Sequence, residues 1–151
     1  MYYIIGVADA TGAIAESLEN NNTRNSGTVQ IGPDLIVSAF SGPSSAAAGT
    51  SVSVTVTTKN QGSGAAPVSF TRFYLSSNSS LDAGDQLIGA REVSSLGPGV
   101  SDAGSALLLI PPSTLSGTYY IIARGDGDDA IQESLETNNL RSRTISIAAT
   151  P

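Results

Sequence analysis

Residues 2–24 read YYIIGVADATGAIAESLENNNTR, and residues 119–141 read YYIIARGDGDDAIQESLETNNLR. The two stretches align without a gap at an offset of 117 residues, and 14 of their 23 positions are identical. The block Glu-Ser-Leu-Glu-x-Asn-Asn stands in both, at residues 16–22 and 133–139. A match of this density indicates an internal repeat, and the repeat decides how the chain is organised.

The period of the repeat defines the predicted domains. A unit of 117 residues is too long for one turn of a solenoid and is typical of tandem copies of a complete domain. We therefore expect residues 1–32 to be the truncated C-terminal hairpin of a preceding repeat. Residues 33–148 are expected to form the complete domain and residues 149–151 a tail, with Gly32-Pro33 as the junction.

The complete repeat is dominated by the alternation that is typical of β-strands. Residues 51–57 (SVSVTVT) place three valines on one face, as in a strand with one buried side. Turn sequences with Gly, Pro or Asn separate the candidates, and no stretch has a helical spacing of apolar residues. The predicted strands are residues 34–37, 51–57, 70–75, 86–93, 105–110, 118–124 and 141–148. Seven strands in about 115 residues predict an antiparallel β-sandwich.

The composition excludes several kinds of chemistry. The chain contains no His, no Cys and no Trp. There is therefore no Ser-His-Asp triad, no thiolate nucleophile and no common site for zinc, haem or an iron–sulfur cluster. Calcium, which binds carboxylate and carbonyl oxygens, is the metal to consider. The net charge of −6 argues against a nucleic acid or an anionic membrane as partner.

The sequence gives no sign of membrane insertion. Its longest apolar stretch, residues 106–110, is far shorter than the roughly 18 residues of a membrane span. A composition rich in Ser, Thr, Asn and Gly and poor in Lys favours an extracellular or cell-surface location. Residues 1–5 (MYYII) lack the basic start and cleavage site of a signal peptide. We therefore expect the targeting signal to lie elsewhere in a longer protein.

Several motifs resemble the CARDB family, the cell-adhesion-related domain found in bacteria. The most specific is E-x-x-E-x-N-N at residues 133–139. The others are DLIV at 34–37, V-x-x-K-N-x-G at 56–62, FYLS at 73–76, L-G-x-G at 96–99, G-x-Y at 117–119 and Asp126. The resemblance covers residues 34–147 fully and 2–31 as a truncated copy. It implies an immunoglobulin-like fold in secreted or surface-anchored prokaryotic proteins, often in tandem and beside catalytic or adhesive domains, and no single ligand.

Five acidic residues in the second repeated block are the candidate metal ligands. They lie within 11 residues that contain no basic side chain, and they are Asp126, Asp128, Asp129, Glu133 and Glu136. Crowded carboxylates repel one another unless solvent or a cation screens them, and calcium takes roughly six to eight such oxygens. The first copy has Thr11 and Gly12 at the positions of the second and third acid. This difference favours the alternative hypothesis, in which the side chains stabilise a turn.

Three further features carry hypotheses of their own. Residues 78–85 (NSSLDAGD) resemble a calcium loop in the spacing of their polar residues but lack the EF-hand pattern. We therefore expect a turn between strands. Glu133 and Glu136 are not expected to act as a glycosidase pair, because no aromatic platform for a sugar lies near them. Arg141 and Arg143 follow the acidic block and are expected to be its counter-ions.

The expected function is that of a non-catalytic structural or adhesion module, a tandem β-sandwich spacer, and not that of an enzyme. The alternatives are a calcium- or carbohydrate-binding module and an accessory domain of an exported hydrolase. The expected partners are other domains of the same polypeptide, with a surface protein or a glycan as a further hypothesis. Because an isolated hairpin is marginal in water, residues 2–31 could be a disordered tail, could dock on their own domain, or could form a strand-swapped dimer.

Overall fold

The structure is a computed structural model that describes residues 2–148; residue 1 and the predicted tail 149–151 lie outside the described residues. The chain divides into two compact units between Ile31 and Gly32. Among residues 2–148 no helix is long and apolar enough to cross a membrane. The strands are β1 (Ile5–Val7), β2 (Thr23–Asn25), β3 (Leu35–Ser41), β4 (Ser45–Ala47), β5 (Ser51–Asn60), β6 (Ser69–Ser76), β7 (Gln86–Val93), β8 (Ser101–Leu109), β9 (Gly117–Arg124) and β10 (Leu140–Ala148).

The second unit is a sandwich of two sheets. One sheet has the strand order β4-β10-β9-β6-β7, and the other has the order β3-β5-β8. Neighbouring strands are antiparallel except for β4 and β10, which run parallel from the pair Ser45 and Ser146 to the pair Ala47 and Ala148. The chain therefore starts in one sheet with β3 and crosses to the other with β4. The predicted immunoglobulin-like antiparallel β-sandwich is confirmed.

Each of the seven predicted strands is present, and the described residues of this unit add an eighth. The additional strand, β4, consists of Ser-Ala-Ala, small residues with little preference for a strand, so its order comes from pairing with β10. β8 begins at Ser101 and not at Ser105, because its pairing with β5 continues as far as Lys59↔Ser101. Both differences arise from pairing between distant strands, which local sequence does not encode.

Inward-facing side chains of the two sheets form the main core. Val52, Val54 and Val56 of β5 point inward, as their alternation predicted, and they pack with Phe73 of β6. The Phe73 ring centroid lies 5.7 Å from that of Phe40. A smaller cluster connects the start of β3 with the loop between β9 and β10, and its members are Leu35, Ala66, Val93, Leu96 and Ile131.

Polar contacts also join the two sheets. The hydroxyls of Thr58 in β5 and Thr71 in β6 lie 2.8 Å apart, and neither residue has exposed surface. Nearer the edge, Arg91 of β7 forms an ion pair with Asp102 of β8. The hydroxyl and the amide of Ser94 donate to the same carboxylate at 2.7 and 2.9 Å. These hydrogen bonds, with a smaller contribution from the guanidinium, hold the pKa of Asp102 below its usual range.

The chain enters and leaves this unit at opposite ends of the sandwich. β3 begins at Leu35, beside the place where Gly125 N donates to Asn139 O and β10 begins. β10 then runs for nine residues and ends at Ala148, next to β4. At roughly 3.4 Å per residue, the two ends lie about 27 Å apart along the strand direction.

The N-terminal unit contains a small two-stranded antiparallel sheet. Its residue pairs are Ile5↔Asn25, Gly6↔Arg24 and Val7↔Thr23, and an isolated bridge joins Tyr2 to Val29. Every residue of β1 and β2 is exposed. The assignment of residues 1–32 to a preceding repeat, and of 33–148 to a complete one, stays a prediction.

Candidate functional site

The acidic loop, residues 126–139, joins β9 to β10 and is folded by its own side chains. Asp126 is 1% exposed and has a left-handed backbone conformation, with φ of 43°. Its carboxylate accepts hydrogen bonds from the amides of Ala130 (3.3 Å) and Ile131 (2.9 Å), and its carbonyl accepts one from Asp129 (2.9 Å). Asp126 therefore organises the first turn of the loop.

The two glutamates of the acidic loop hold backbone amides. Glu136 Oε1 accepts a hydrogen bond from Glu133 N at 2.7 Å. Glu133 Oε2 accepts one from Leu35 N at 3.0 Å. The other oxygen of Glu133, Oε1, is buried and has no hydrogen-bond partner among residues 2–148. Glu133 therefore ties the loop to the first strand of the sandwich and keeps one carboxylate oxygen uncommitted.

The remaining two acids of the block form ion pairs. Asp128 Oδ1 lies 2.5 Å from Arg72 Nε, and Asp129 Oδ1 lies 2.9 Å from Arg124 Nη2. Both pairs are partly exposed, so each contributes at most about 1 kcal/mol to stability. Their main effect is to neutralise charge in a loop that carries five carboxylates.

Arg141 and Arg143 are not the counter-ions that their position after the block predicted. Both lie on β10, which leads away from the acidic loop. Arg141 Nη1 donates to the carbonyl of Ser38 at 2.5 Å, and the Arg143 guanidinium lies against Gly42. Proximity in sequence was misleading because each strand residue lies about 3.4 Å further from the loop and successive side chains point to opposite faces.

The five predicted metal ligands do not converge on one point. Within the described range no three acidic side chains are grouped so that they could hold a metal ion. Asp126 and Glu136 bind backbone amides, and Asp128 and Asp129 bind arginines. These contacts are those of a folded turn. Calcium binding by the five acids stays a prediction.

The acidic loop is fastened to residues 32–35, which we name the opening segment. The contacts are Glu133 Oε2 with Leu35 N (3.0 Å), Ser134 N with Pro33 O (2.9 Å) and Asn138 Nδ2 with Asp34 Oδ1 (2.8 Å). Their partners are about 100 positions apart in sequence, so that each hydrogen bond closes the fold at this end. The repeated block E-x-x-E-x-N-N thus fixes the place where the chain enters the sandwich.

Asn60, at the end of β5, holds the opening segment from the other side. The residue has no exposed surface. Its Oδ1 accepts hydrogen bonds from Asp34 N (3.1 Å) and Gly62 N (3.0 Å). Its Nδ2 donates to Gly64 O (2.7 Å) and Leu96 O (3.0 Å). All the hydrogen-bonding positions of the amide are used, two as acceptor and two as donor.

Gly62 allows the backbone after β5 to reach the opening segment. A Cβ atom at this position would lie 2.6 Å from Asp34 N and 2.6 Å from Pro33 C, and it would also meet Gly32 O. These neighbours are backbone atoms that cannot rotate away, so glycine is required here. The motif at residues 56–62 therefore has a physical explanation, in which the Asn supplies hydrogen bonds and the Gly supplies space.

Burial raises the pKa of Glu133 from its ordinary value of 4.5 to about 7. Contacts with Leu35 N and with the Asn139 side chain favour the charged form, but desolvation outweighs them. The negative charges of Glu136 and Asp126 raise the pKa further. Because the chain has no histidine, Glu133 is the side chain of this site whose charge changes near neutral pH.

Residues 78–85 form a turn between β6 and β7, as predicted. The side-chain hydrogen bonds are Asn78 Oδ1 with Ser80 N (2.8 Å), Asp82 Oδ1 with Gly84 N (2.8 Å) and Asp85 Oδ2 with Asp82 N (2.9 Å). A cavity of about 320 Å³ lies beside this turn and is lined mainly by polar residues, together with Leu75, Leu115 and Tyr119. It lies at the end of β9 opposite to the acidic loop.

The roles of Asn60 and Asp34 were not predicted. Both residues stand in motifs that matched the family resemblance, at residues 56–62 and 34–37. The sequence signal for Asn60 was its position at the end of a predicted strand, two residues before Gly62. The sequence does not show which backbone groups such a side chain serves, because two of the partners come from distant segments.

The substitution Asn60→Ala is expected to lower the free energy of unfolding of the second unit by about 3–5 kcal/mol, because it leaves buried backbone groups without partners. Asn78→Ala is the matched control, since it removes the same side chain from an exposed turn and should cost less than about 1 kcal/mol. Urea unfolding of both variants measures the difference. Equal losses would contradict the role assigned to Asn60.

Stability is expected to fall as the pH rises from 5 to 8. A group with a raised pKa in the folded state stabilises fully below its unfolded pKa, here 4.5, and that contribution is lost as the pH rises through about 7. Since Glu133 is only partly buried, solvent screens this effect, and we expect a decrease of about 3 °C in the midpoint of thermal unfolding. Glu133→Gln, which keeps the acceptor for Leu35 N, should show equal midpoints at the two pH values. A decrease of the same size in this variant would assign the effect to another group.

The comparisons with known proteins agree on the fold. The CARDB family profile matches residues 32–143, and no curated protein matches the chain. The crystal structure of a CARDB domain from Pyrococcus furiosus, in complex with di-metal ions, is 26% identical, with a TM-score of 0.59 over 82% of this chain and 95% of that chain. A solution structure of the same domain is 24% identical, with a TM-score of 0.57 over 78% and 97%.

A β-glucosidase from Listeria innocua, solved in complex with glucose, shares the fold alone. It is 16% identical, with a TM-score of 0.52, and the match covers 77% of this chain but 16% of the glucosidase. The matched range of the family profile contains the opening segment, Asn60 and the acidic loop. On this match, and with the two-sheet sandwich that the structure shows, the chain belongs to the CARDB family.

Proposed function

We propose that this chain is a non-catalytic structural and adhesion module, a tandem β-sandwich spacer of a secreted or cell-surface prokaryotic protein. The observation that carries the proposal is the position of the two ends of the second unit. Leu35 and Ala148 lie at opposite ends of the sandwich, about 27 Å apart along the strands. Copies joined end to end therefore lengthen the protein along the strand direction and do not widen it. The 117-residue internal repeat supports such a tandem arrangement.

The hydrogen bonds of the opening segment support the spacer function. A spacer keeps its reach only when its joints are stiff, because a flexible linker collapses to a random coil. Here the first residues after the junction are held by the acidic loop on one side and by Asn60 on the other. The direction in which the chain enters the domain is thus defined by backbone and side-chain contacts together.

Membership of the CARDB family supports the adhesion and surface-location parts of the proposal. The acidic side chains do not favour catalysis. All five acids in the block bind backbone amides or arginines. Among the described residues Glu133 also has a buried oxygen without a hydrogen bond, and one such carboxylate does not make the acid–base pair of a hydrolase.

Calcium binding is a second candidate function, favoured by four buried oxygen atoms of the acidic loop. These atoms have no hydrogen-bond partner in the part of the chain that the structure describes, and they are Glu133 Oε1, Ser134 Oγ, Asn138 Oδ1 and Asn139 Oδ1. Carboxylate and amide oxygens are the ligands that calcium prefers. The similar CARDB domain from Pyrococcus furiosus was crystallised with di-metal ions. This set differs from the five acids predicted from the sequence and contains a single carboxylate.

Small-angle X-ray scattering of tandem polypeptides tests the spacer function. Two, three and four directly joined copies of residues 32–148 should increase the maximum dimension by about 30 Å for each added copy. Asn138→Ala in every copy removes a contact of the opening segment and should broaden the distribution of dimensions, whereas the exposed neighbour Thr137→Ala should not. A dimension that grows with the cube root of copy number would contradict the spacer function.

Thermal unfolding with millimolar calcium or with excess chelator separates the two candidate functions. The spacer function alone predicts midpoints that agree within about 1 °C. A site occupied at a hundred times its dissociation constant would add about 2.7 kcal/mol and raise the midpoint by roughly 10 °C. An increase of that size, lost in Glu133→Gln and kept in Asp85→Asn, would establish calcium binding by the acidic loop.

A further inference from the structure

The two copies of the repeated hairpin fold in the same way, although one of them has no sandwich of its own. At the 117-residue offset, each residue pair of β1 and β2 coincides with a pair of β9 and β10. The equivalent pairs are Ile5↔Asn25 with Ile122↔Ser142, Gly6↔Arg24 with Ala123↔Arg141, and Val7↔Thr23 with Arg124↔Leu140. The N-terminal unit therefore has the register of a complete domain's last hairpin.

The loop that follows β1 repeats the internal contacts of the acidic loop. Asp9 has φ of 42° and accepts hydrogen bonds from the amides of Ala13 (2.9 Å) and Ile14 (2.8 Å), as Asp126 does in the second unit. Glu19 Oε1 accepts one from Glu16 N at 2.8 Å, as Glu136 does. These turns form from local sequence and do not need the rest of the sandwich.

The apolar side chains of the first copy lack the cover that they have in the second. Three isoleucines of the first copy are exposed: Ile4 (67%), Ile5 (62%) and Ile14 (64%). Their equivalents in the second copy are buried: Ile121 (0%), Ile122 (1%) and Ile131 (7%). In the second unit Ile121 packs in the main core and Ile131 in the smaller cluster, each with side chains that precede β9 in the sequence. A soluble protein rarely leaves such a face uncovered without a partner for it.

The loop of the first copy also forms a surface cavity at the position where the acidic loop of the second unit binds the opening segment. A surface cavity of about 400 Å³ is lined by the loop residues Glu16, Ser17, Leu18, Asn21 and Asn22. Three of them are the equivalents of Glu133, Ser134 and Asn138, which bind the opening segment in the second unit. The cavity thus has the hydrogen-bonding groups that recognise a Pro-Asp-Leu strand start.

We propose that residues 2–31 are the closing hairpin of a second CARDB sandwich, whose other strands are of the same type as β3 to β8 and come from the same polypeptide in tandem order. A strand start like Pro33-Asp34-Leu35 occupies the cavity at Glu16. An apolar face like that formed by Val54 and Phe73 covers Ile4, the equivalent of Ile121. The inference rests on the repeated hairpin and not on the spacer function.

A second copy of the chain is a poorer occupant for this face. In the second unit the equivalent surface of the sandwich is covered by β9 and β10, which are joined to β8 by the seven residues 110–116. Such a short connection keeps the native hairpin at a high effective concentration. An exchanged hairpin from another molecule has to displace it.

A fusion protein tests the proposal with the chain's own sequence. Residues 33–118, placed directly before Tyr2, supply β3 to β8 in the order of the repeat. Hydrogen exchange of the amides of residues 4–7 should be slowed at least about 100-fold relative to the 151-residue chain, because core strands exchange only through rare opening and exposed ones exchange with little protection. Calorimetry should show a second cooperative transition.

Variants in the fusion keep the test specific. Ile4→Asp, at the equivalent of the core residue Ile121, should abolish the new protection and leave residues 32–148 unchanged. Asn21→Ala, the equivalent of removing the Asn138 contact, should lower the midpoint of the new transition, and the exposed Thr11→Ala should not. Rapid exchange of residues 4–7 in the fusion would overturn the proposal. Slow exchange in the 151-residue chain together with a dimeric mass in light scattering would also overturn it, since a second copy would then be the occupant.

Discussion

The side chain of Asn60 is the interaction on which the end of the sandwich with the acidic loop depends. It is buried without a charge, and its four hydrogen bonds join the opening segment, Leu96 and the backbone of Gly62 and Gly64 at the end of β5. The N–H and C=O groups of a buried loop have no neighbouring strand to pair with, so a side chain has to supply their hydrogen bonds. Asn60 does so here, and Leu35 and Ile131 close a small apolar cluster beneath it.

The acidic loop keeps five carboxylates close together by giving each of them a partner in the protein. Three of them bind backbone amides and two bind arginines. One of the first three, Glu133, is partly desolvated and has a pKa of about 7. The same turn forms in the first copy, where the two arginine-bound acids are replaced by Thr11 and Gly12. The residues that fold the turn are thus the ones that both copies share, and the ion pairs are additions of the second copy.

The β-strands and the repeat were predictable because both are local signals. Alternation predicted that Val52, Val54 and Val56 point inward, and the identity of two hairpins predicted a repeated structure. β4, the bonds of Asn60 to Asp34 and Leu96, and the counter-ion Arg72 were not predictable, because each depends on segments that are distant in sequence and adjacent in space. The counter-ion Arg124 lies only five residues before Asp129 and was missed although it is local. The turn hypothesis for the acidic loop agrees with the observed contacts, because Asp126 and Glu136 serve amides three to five residues away.

The parallel pairing of β4 with β10 has a mechanical consequence. A tensile load on the chain pulls β4 toward the end at Asp34 and pulls β10 toward the end at Ala148. The two strands are thereby loaded in shear, with their hydrogen bonds strained together and not opened one after another. Three residue pairs form this patch, and the longer antiparallel pairing of β3 with β5 lies between it and the point where the load enters at Asp34.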